Sequence, residues 1–441
     1  MAYSNPAKWD FVPLIDSFSS YFTSRTIIAG LILFTPFTMG IDDSVLTKSI
    51  LPVVMVSIAI LFFLNYDNIL NHVSVLNWKY KWSLALLFLS FFISVLFGLE
   101  YRDLTSLTIY NSSFAGVVLD LLINLPKQYM LGFLIFLSIR SLDDLNFLFF
   151  TFLLSGVIVN TIAISQLFIP SGFEAARLIG TFIDPNYFGR FEVILICISL
   201  CRMLFTRISL GEKIIHFLNI LVSFYFLYTS LSRAAFITLA LIVSVIVFYT
   251  QNKKTKYFAI TIILIVLSYF VITVGSKRTG QTSNVSGAVV DYSNTTRLAL
   301  NVGAFNMFLD YPLSGVGFHN FYNVYINHNY VPENIPSAIV ISIVHSWIFS
   351  TMAEQGLLGT IPCLILAFLI LRDLIRNAKK EDHDGRNKSI ALTLFSLNSI
   401  IVVFGLFNAI FFFELICPLI IGMTLGYFKI YSAPYIKTHY K

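Results

Sequence analysis

The stretch "VHSWIFSTMAEQGLLG", Val344 to Gly359, marks the point where a long polar segment gives way to an apolar run of membrane length. Read as one helix, at about 100° per residue, it places His345, Ile348, Phe349, Met352, Gly356 and Gly359 along roughly one stripe. Glycines on a spanning helix let a neighbour come close. Gly356 and Gly359 are therefore expected to seat this helix against others and so to fix where His345 points. Glu354 turns to the opposite side, and because a charge cannot face lipid cheaply, it needs a partner on another helix or in a polar cavity. His345 alone has two readings: an interfacial imidazole bonded to a backbone carbonyl, or a group presented to a site at the membrane surface.

The rest of the chain is of the same kind. Its 441 residues are 57% hydrophobic and 12% charged, and its mean hydropathy is +0.80. Those values lie far from the composition of soluble domains and imply an all-α, polytopic integral membrane protein, read as a single membrane domain over residues 1–441. Apolar runs occur at Thr26–Met39, Ile50–Leu64, Ser83–Leu99, Val117–Ile139, Leu145–Ile169, Tyr187–Phe205, Ile214–Tyr228, Ala234–Tyr249, Tyr257–Val274, Val344–Leu371, Ile390–Phe407 and Phe412–Tyr427. They predict about twelve transmembrane helices. Cys197, Cys201, Cys363 and Cys417 all fall inside these runs and read as small packing residues. The first run has no small-residue cleavage site after it, so it is expected to be retained as a span.

Charge placement orients the chain. With the N-terminus inside, Lys79 and Lys81, Arg140, Arg202, Arg207 and Lys213, the lysines at 253, 254 and 256, and the basic residues from Arg372 to Lys388 share one side with the C-terminal tail. The positive-inside rule then places both termini in the cytoplasm. The opposite face is poor in lysine but carries Arg102, Arg177, Arg190, Arg233, Arg278 and Arg297. Guanidinium forks match phosphate oxygens two at a time, whereas an ammonium is a point charge. An arginine-rich outer face therefore suits a phosphate or pyrophosphate ligand delivered by the membrane.

Three outer stretches carry all of those arginines except Arg102. In "RLIGTFIDPNYFGRF", Arg177 to Phe191, Asp184 or Asn186 is expected to cap a helix, with Arg177 and Arg190 flanking the turn. That pair makes a candidate anion cradle, the alternative being that both snorkel to lipid headgroups. In "YTSLSRAAF", Tyr228 to Phe236, Arg233 interrupts a tight outer hairpin and has little loop around it to reach water, which favours a wet cavity. The third stretch belongs to residues 275–343, the longest segment outside the apolar runs, where a loop without its own apolar core would be functional or disordered. Within it, Leu298, Val302, Phe305 and Leu309 follow the cap-like Asn294-Thr295-Thr296 at helical spacing. They predict an amphipathic surface helix ending at Tyr311-Pro312, with Arg297 in its first turn, where a cation opposes the helix dipole. His319 and His328 read as solvated loop residues. The chain has no Walker loop, no Cys/His metal cluster and no Gly-x-Ser-x-Gly elbow. No cofactor, metal or nucleic-acid partner is expected.

The segments "GTFIDPNYFG", "SLSRAAF", "TTRLAL…YPLSGVGFHNFY" and "HSWIFSTMAEQG", in that order and on one face, resemble the bacterial O-antigen polymerase and O-antigen ligase superfamily. The likeness covers roughly Arg177 to Gly359. It implies an inverting, metal-independent membrane glycosyltransferase of GT-C-like architecture in the bacterial inner membrane, working at the periplasmic face. Its partners would be an undecaprenyl-pyrophosphate-linked glycan donor, a glycan acceptor, membrane lipids and a chain-length regulator. The resemblance also implies that Arg177 or Arg190, Arg233 and Arg297 hold the pyrophosphate leaving group and that His345 orients or deprotonates the acceptor hydroxyl. Polymerase is the favoured activity, ligase the alternative, and a lipid-linked-oligosaccharide flippase or other transporter a third.

Overall fold

The computed structural model describes residues 23–38, 45–65, 76–101, 125–168, 178–182, 184–250, 253, 257, 284–285, 288–289, 292–328, 330–331, 344–380, 385–408 and 415–439. The architecture is helical: α1 (Ser24–Thr38), α2 (Val45–Asn65), α3 (Trp78–Phe97) with a 3-10 turn (Gly98–Tyr101), α4 (Leu125–Ser138), α5 (Leu142–Gln166), α6 (Pro185–Phe205), α7 (Leu210–Ser230), α8 (Arg233–Phe248), α9 (Tyr292–Asp310), α10 (Phe321–Asn327), α11 (Trp347–Ala378), α12 (Arg386–Phe404) and α13 (Ile416–His439). Before α9, β1 (Asn284–Val285) and β2 (Ala288–Val289) pair as a short antiparallel ladder. Each apolar run predicted to span coincides with a helix over its described residues; the run 257–274 past Tyr257, residues 117–124 of the run from Val117 and residues 412–414 of the last run lie outside them.

Among the described residues, five helices are long and apolar enough to cross a membrane: Trp78–Glu100, Leu142–Gln166, Leu210–Ser230, Trp347–Ala378 and Arg386–Phe404. Their outward faces agree with that solvent. Ile214, Phe217, Leu218 and Leu221 on α7, and Ile361, Leu364, Ile365 and Phe368 on α11, are all exposed. Apolar surface on that scale is stable against lipid and aggregates in water. The chain is thus a polytopic membrane protein.

Helix α6 differs in composition because it lies inside the bundle. It packs against α5, α7, α8 and α12 and carries Arg190, Glu192 and Arg202. Arg190 is 2% exposed, its guanidinium lying 5.0 Å from the Tyr187 ring centre and 5.4 Å from that of Phe404. Glu192 is 0% exposed and faces Ser223 of α7 and Asn160 of α5, though neither bonds its oxygens directly. A carboxylate buried that way is costly as an anion. Glu192→Gln, which keeps the shape and removes the charge, is expected to raise the melting temperature in detergent micelles by about 2–4 °C. A fall instead would mean that a partner needing the negative charge holds this side chain.

Cations gather at one end of the bundle and tie helices together there. Arg386 pairs with Asp143, and Lys79 with Asp373. Arg25 lies 3.7 Å from Asp144, which also closes a capping box with Ser141 at the start of α5. Lys429 of α13 donates to the carbonyls of Phe136 and Leu137 at 2.8 and 2.9 Å, where a cation meets the negative end of α4. The acidic pair Asp143-Asp144 is therefore structural.

At the other end, α11 is not one continuous helix. Gly356 has φ +59° and ψ −152°, which breaks it. The turn after α9 is set into the break: the N–H groups of Val316 and Gly317 donate to the carbonyls of Ala353 and Glu354 at 2.8 and 3.0 Å, while Leu357 and Leu358 donate to Pro312 and Leu313 at 2.8 and 3.1 Å. The loop thereby supplies the partners that the two half-helices lack at their facing ends. Gly315, at φ +65°, lies against the Glu354–Gln355 backbone. On the far side, Asn320 donates to the carbonyls of Gly98 at 2.7 Å and Val316 at 2.9 Å. Ser94 of α3 donates to the Glu354 carbonyl at 2.6 Å. The segment Pro312–Asn320 is thus clamped between α3 and α11.

This corrects two sequence expectations. Gly356 does not admit a neighbouring helix; it admits a loop, and it shares no helical stripe with His345, which precedes α11. The described part of the long outer segment has its own core, in which Leu300, Ala304, Met307, Val316, Phe321 and Tyr325 pack with Val344 and Ala353. Helix α9 lies where it was predicted and stops before Pro312, and Leu298, Val302, Phe305 and Leu309 form its exposed face. The side buried on protein is made by Thr296, Ala299, Leu300, Ala304 and Met307. An outward apolar stripe belongs to a helix lying in the membrane interface.

Candidate functional site

The site builds around the end of α12. Beyond Phe404 the helix loosens into a turn, and its carbonyls become acceptors for other segments. Trp347 N–H donates to the Gly405 carbonyl at 2.9 Å, and the Trp347 indole donates to Val402 at 3.0 Å. These bonds pin the start of α11, and with it His345 two residues earlier. Arg297 of α9 donates to the Phe407 carbonyl at 3.3 Å. Arg190 of α6 packs on the Phe404 ring. Two of the residues singled out in the sequence, Arg190 and Arg297, thus meet one four-residue stretch, Phe404–Phe407, and Trp347 ties the segment that carries His345 to it.

The start of α6 completes one side. Pro185 opens the helix and Asp184 caps it, accepting from Asn186 N–H at 2.6 Å, as the turn chemistry predicted. Asn186 accepts from the Ser232 hydroxyl at 2.9 Å, and Ser232 is the N-cap of α8. Leu231, at φ +51°, closes the hairpin between α7 and α8. Arg233 is therefore the first residue of α8, half-buried and next to the start of α6. The argument from the helix dipole moves accordingly. Arg297 lies in the second turn of α9 and escapes it, whereas Arg233 meets the positive end of α8.

His345 is half-buried and within electrostatic reach of both Arg297 and Asp184. Burial and the positive charge of Arg297 pull its pKa below the usual histidine value, and Asp184 opposes them in part. The imidazole is consequently neutral at neutral pH and able to accept a proton. Glu354 has the kind of partner its position demanded: its carboxylate accepts from the Phe321 N–H at 3.4 Å, at the start of α10. His319 is not solvated; it is half-buried, has φ +61° and stacks on Phe318 with ring centres 4.1 Å apart. His328 is exposed. Arg177 lies outside the described residues. Arg190 is not on the loop rim but one turn inside α6, beneath the site.

Beside Trp347 an apolar cavity of about 500 Å³ runs between α3, α4, α11, α12 and α13, lined by such residues as Phe91, Phe133, Leu366, Ile401 and Ile421. Sequence reasoning missed it, together with Asp184 as a neighbour of His345 and the Phe404–Phe407 turn. Of these, only Asp184 carried a signal in its own residue type.

Residues 218–364 match the protein-family model described as O-antigen ligase. That match supports the O-antigen ligase and polymerase superfamily for this chain. It takes in Arg233, Arg297, His345 and the broken helix up to Cys363 and Leu364, and leaves Arg190 outside. No curated protein matches the chain.

Proposed function

We propose that this protein is an O-antigen polymerase that joins undecaprenyl-pyrophosphate-linked repeat units at the periplasmic face of the bacterial inner membrane, with both termini in the cytoplasm. The observation that carries the reading is a neutral histidine, His345, held beside Arg297 and Asp184 at the turn on which Arg190 also packs. In the reaction, the acceptor hydroxyl oxygen forms a bond to the anomeric carbon while that carbon's bond to the pyrophosphate oxygen breaks. His345 takes the hydroxyl proton. Arg297 and Arg233, with Arg177 and Arg190 as further donor-binding groups, neutralise the charge that develops on the leaving pyrophosphate. Attack on the face opposite the leaving group inverts the anomeric configuration, and no metal is needed because fixed guanidinium groups supply the counter-charge. The apolar cavity that begins at Trp347 is placed to receive the polyprenyl tail. The architecture is GT-C-like with about twelve spans, and a chain-length regulator is a natural partner.

The description of the matching family favours a second reading, transfer of the glycan to the lipid A core. Purified protein given an undecaprenyl-pyrophosphate repeat unit, with and without core acceptor, separates the two. A ladder without core establishes the polymerase, and product only with core establishes the ligase. No product under either condition would refute both. Within that assay, Arg233→Lys keeps the charge and loses the fork, and is expected to cut the rate by at least about tenfold with expression unchanged. Normal chain lengths from that variant would remove Arg233 from the site.

A further inference from the structure

At the lysine-rich end of the bundle, a polar pocket of about 420 Å³ lies between the start of α3, the end of α11 and the middle of α13. Four cations line it, Lys79, Arg376, Lys380 and Lys429, against the single carboxylate of Asp373. Lys79 is spent on Asp373, and Lys429 on the α4 carbonyls. Arg376 and Lys380 are exposed. Among the described residues Arg376 makes no ion pair, and Lys380 rests over the Tyr431 ring at 5.3 Å.

The pocket is far from the site around His345. Beyond its break at Gly356, α11 runs on to Ala378, so Arg376 lies about 30 Å from the break at about 1.5 Å per residue, the thickness of a bilayer's hydrocarbon core. The pocket also continues into the apolar cavity. On α3 the lining passes from Tyr80 to Leu84, on α11 from Asp373 to Leu371, and on α13 from Phe428 to Leu425, while Leu76 lines both spaces. A polar, cationic mouth opening directly into an apolar groove has the form of an anionic amphiphile.

We propose that this pocket binds an anionic phospholipid of the membrane leaflet at that end, its phosphate held by Arg376 and Lys380 and an acyl chain laid along the inner end of the apolar cavity. Basic pockets between spanning helices recognise phosphate headgroups by this chemistry. The phosphate-binding groups are separate from those proposed for glycan transfer, although the acyl chain would share the cavity proposed for the polyprenyl tail, and the test needs no transfer assay.

The test uses purified full-length protein in a neutral detergent, titrated with short-chain phosphatidylglycerol and read by native mass spectrometry and by thermal shift. Parallel arms use phosphatidylcholine, undecaprenyl phosphate and glycerol phosphate. Phosphatidylglycerol is expected to bind and stabilise, phosphatidylcholine and glycerol phosphate to do neither, and undecaprenyl phosphate to bind more weakly. Arg376→Gln with Lys380→Gln, both exposed side chains, should weaken binding by roughly thirtyfold, about fivefold per cation removed. Glu381, Asp382 and Asp384, outside the described residues, follow Lys380 in the sequence. If they neutralise the mouth, the wild type will show no preference for the anionic lipid, and the proposal fails. It fails equally if the double variant binds as the wild type does, if phosphatidylcholine binds as well, or if undecaprenyl phosphate is preferred, which would make the occupant the carrier.

Discussion

His345→Ala is expected to lower glycan transfer by about 10²–10⁴-fold, the range that a positioned general base contributes, while leaving binding of the lipid-linked donor intact. The expectation rests on the state of the ring. Burial and Arg297 hold its pKa below the ordinary value, so the wild-type rate should rise with pH through an acid limb centred below about pH 6.5 and then stay level. The sign of each perturbation can be tested. A nearby cation disfavours imidazolium, so Arg297→Gln should raise the histidine pKa and move the limb to higher pH. Asp184→Asn removes the opposing anion and should move it lower. Transfer rates measured from pH 5 to 8, with donor binding measured separately, distinguish a base from a scaffold. A merely structural histidine would lose donor binding or folded yield, and the wild-type profile would show no limb that moves with Arg297.

Much of the scaffold around that histidine was legible in the sequence, because hydropathy and capping are local signals. The long apolar runs coincide with helices, Asp184-Pro185 starts α6, and Ser232-Arg233 starts α8 directly after a tight turn. What failed to show depends on residues distant in sequence. The glycine stripe read from His345 assumed a continuous helix, and nothing between Val344 and Gly359 reveals that Pro312–Gly317 will dock there. The apolar stripe on α9 was legible as that of a surface helix, but its spacing does not reveal the second, protein-facing side made by Ala299, Leu300, Ala304 and Met307. The turn at Phe404–Phe407 has no ionisable side chain, and its contribution is carbonyl oxygens and a ring. Arg190 and Glu192 sit in a run that hydropathy alone marks as a span, and only the packing of α6 among four helices shows that both are enclosed.

The broken helix also bears on the transporter reading. Transporters use discontinuous spanning helices to aim free half-helix ends at a substrate or ion near the midplane. In this protein the facing ends at the break are filled by backbone of the same chain, Val316 and Gly317 on one side and Pro312 and Leu313 on the other. Those groups are spent on holding a loop. The break therefore serves to fasten the segment that carries Arg297, which agrees with the proposal that a ligand is engaged by the charged groups near His345 and not at the half-helix ends.

Gly356→Ala is accordingly expected to cost about 3–4 kcal/mol and to abolish most of the folded yield. Two effects add. At φ +59° and ψ −152° the backbone is in a region that essentially only glycine occupies, worth about 1–3 kcal/mol for any side chain. A β-carbon there would also stand 2.5 Å from the carbonyl carbon and oxygen of Leu313 and 2.7 Å from the oxygen of Pro312, and backbone atoms cannot rotate away as a side-chain tip can. Relief requires the loop to leave, which exposes the N–H groups of Leu357 and Leu358 and the carbonyls of Ala353 and Glu354 and releases the segment leading back to Arg297. Gly30→Ala is the matched control. Gly30 is inside α1 with nothing within 4 Å of the added carbon, so alanine should be neutral or stabilise by up to about 1 kcal/mol. Size-exclusion yield and melting temperature, measured on both variants, read the difference. If Gly356→Ala folds and melts like the wild type, α11 can close into a continuous helix, and the docked loop is not what positions Arg297 and His345.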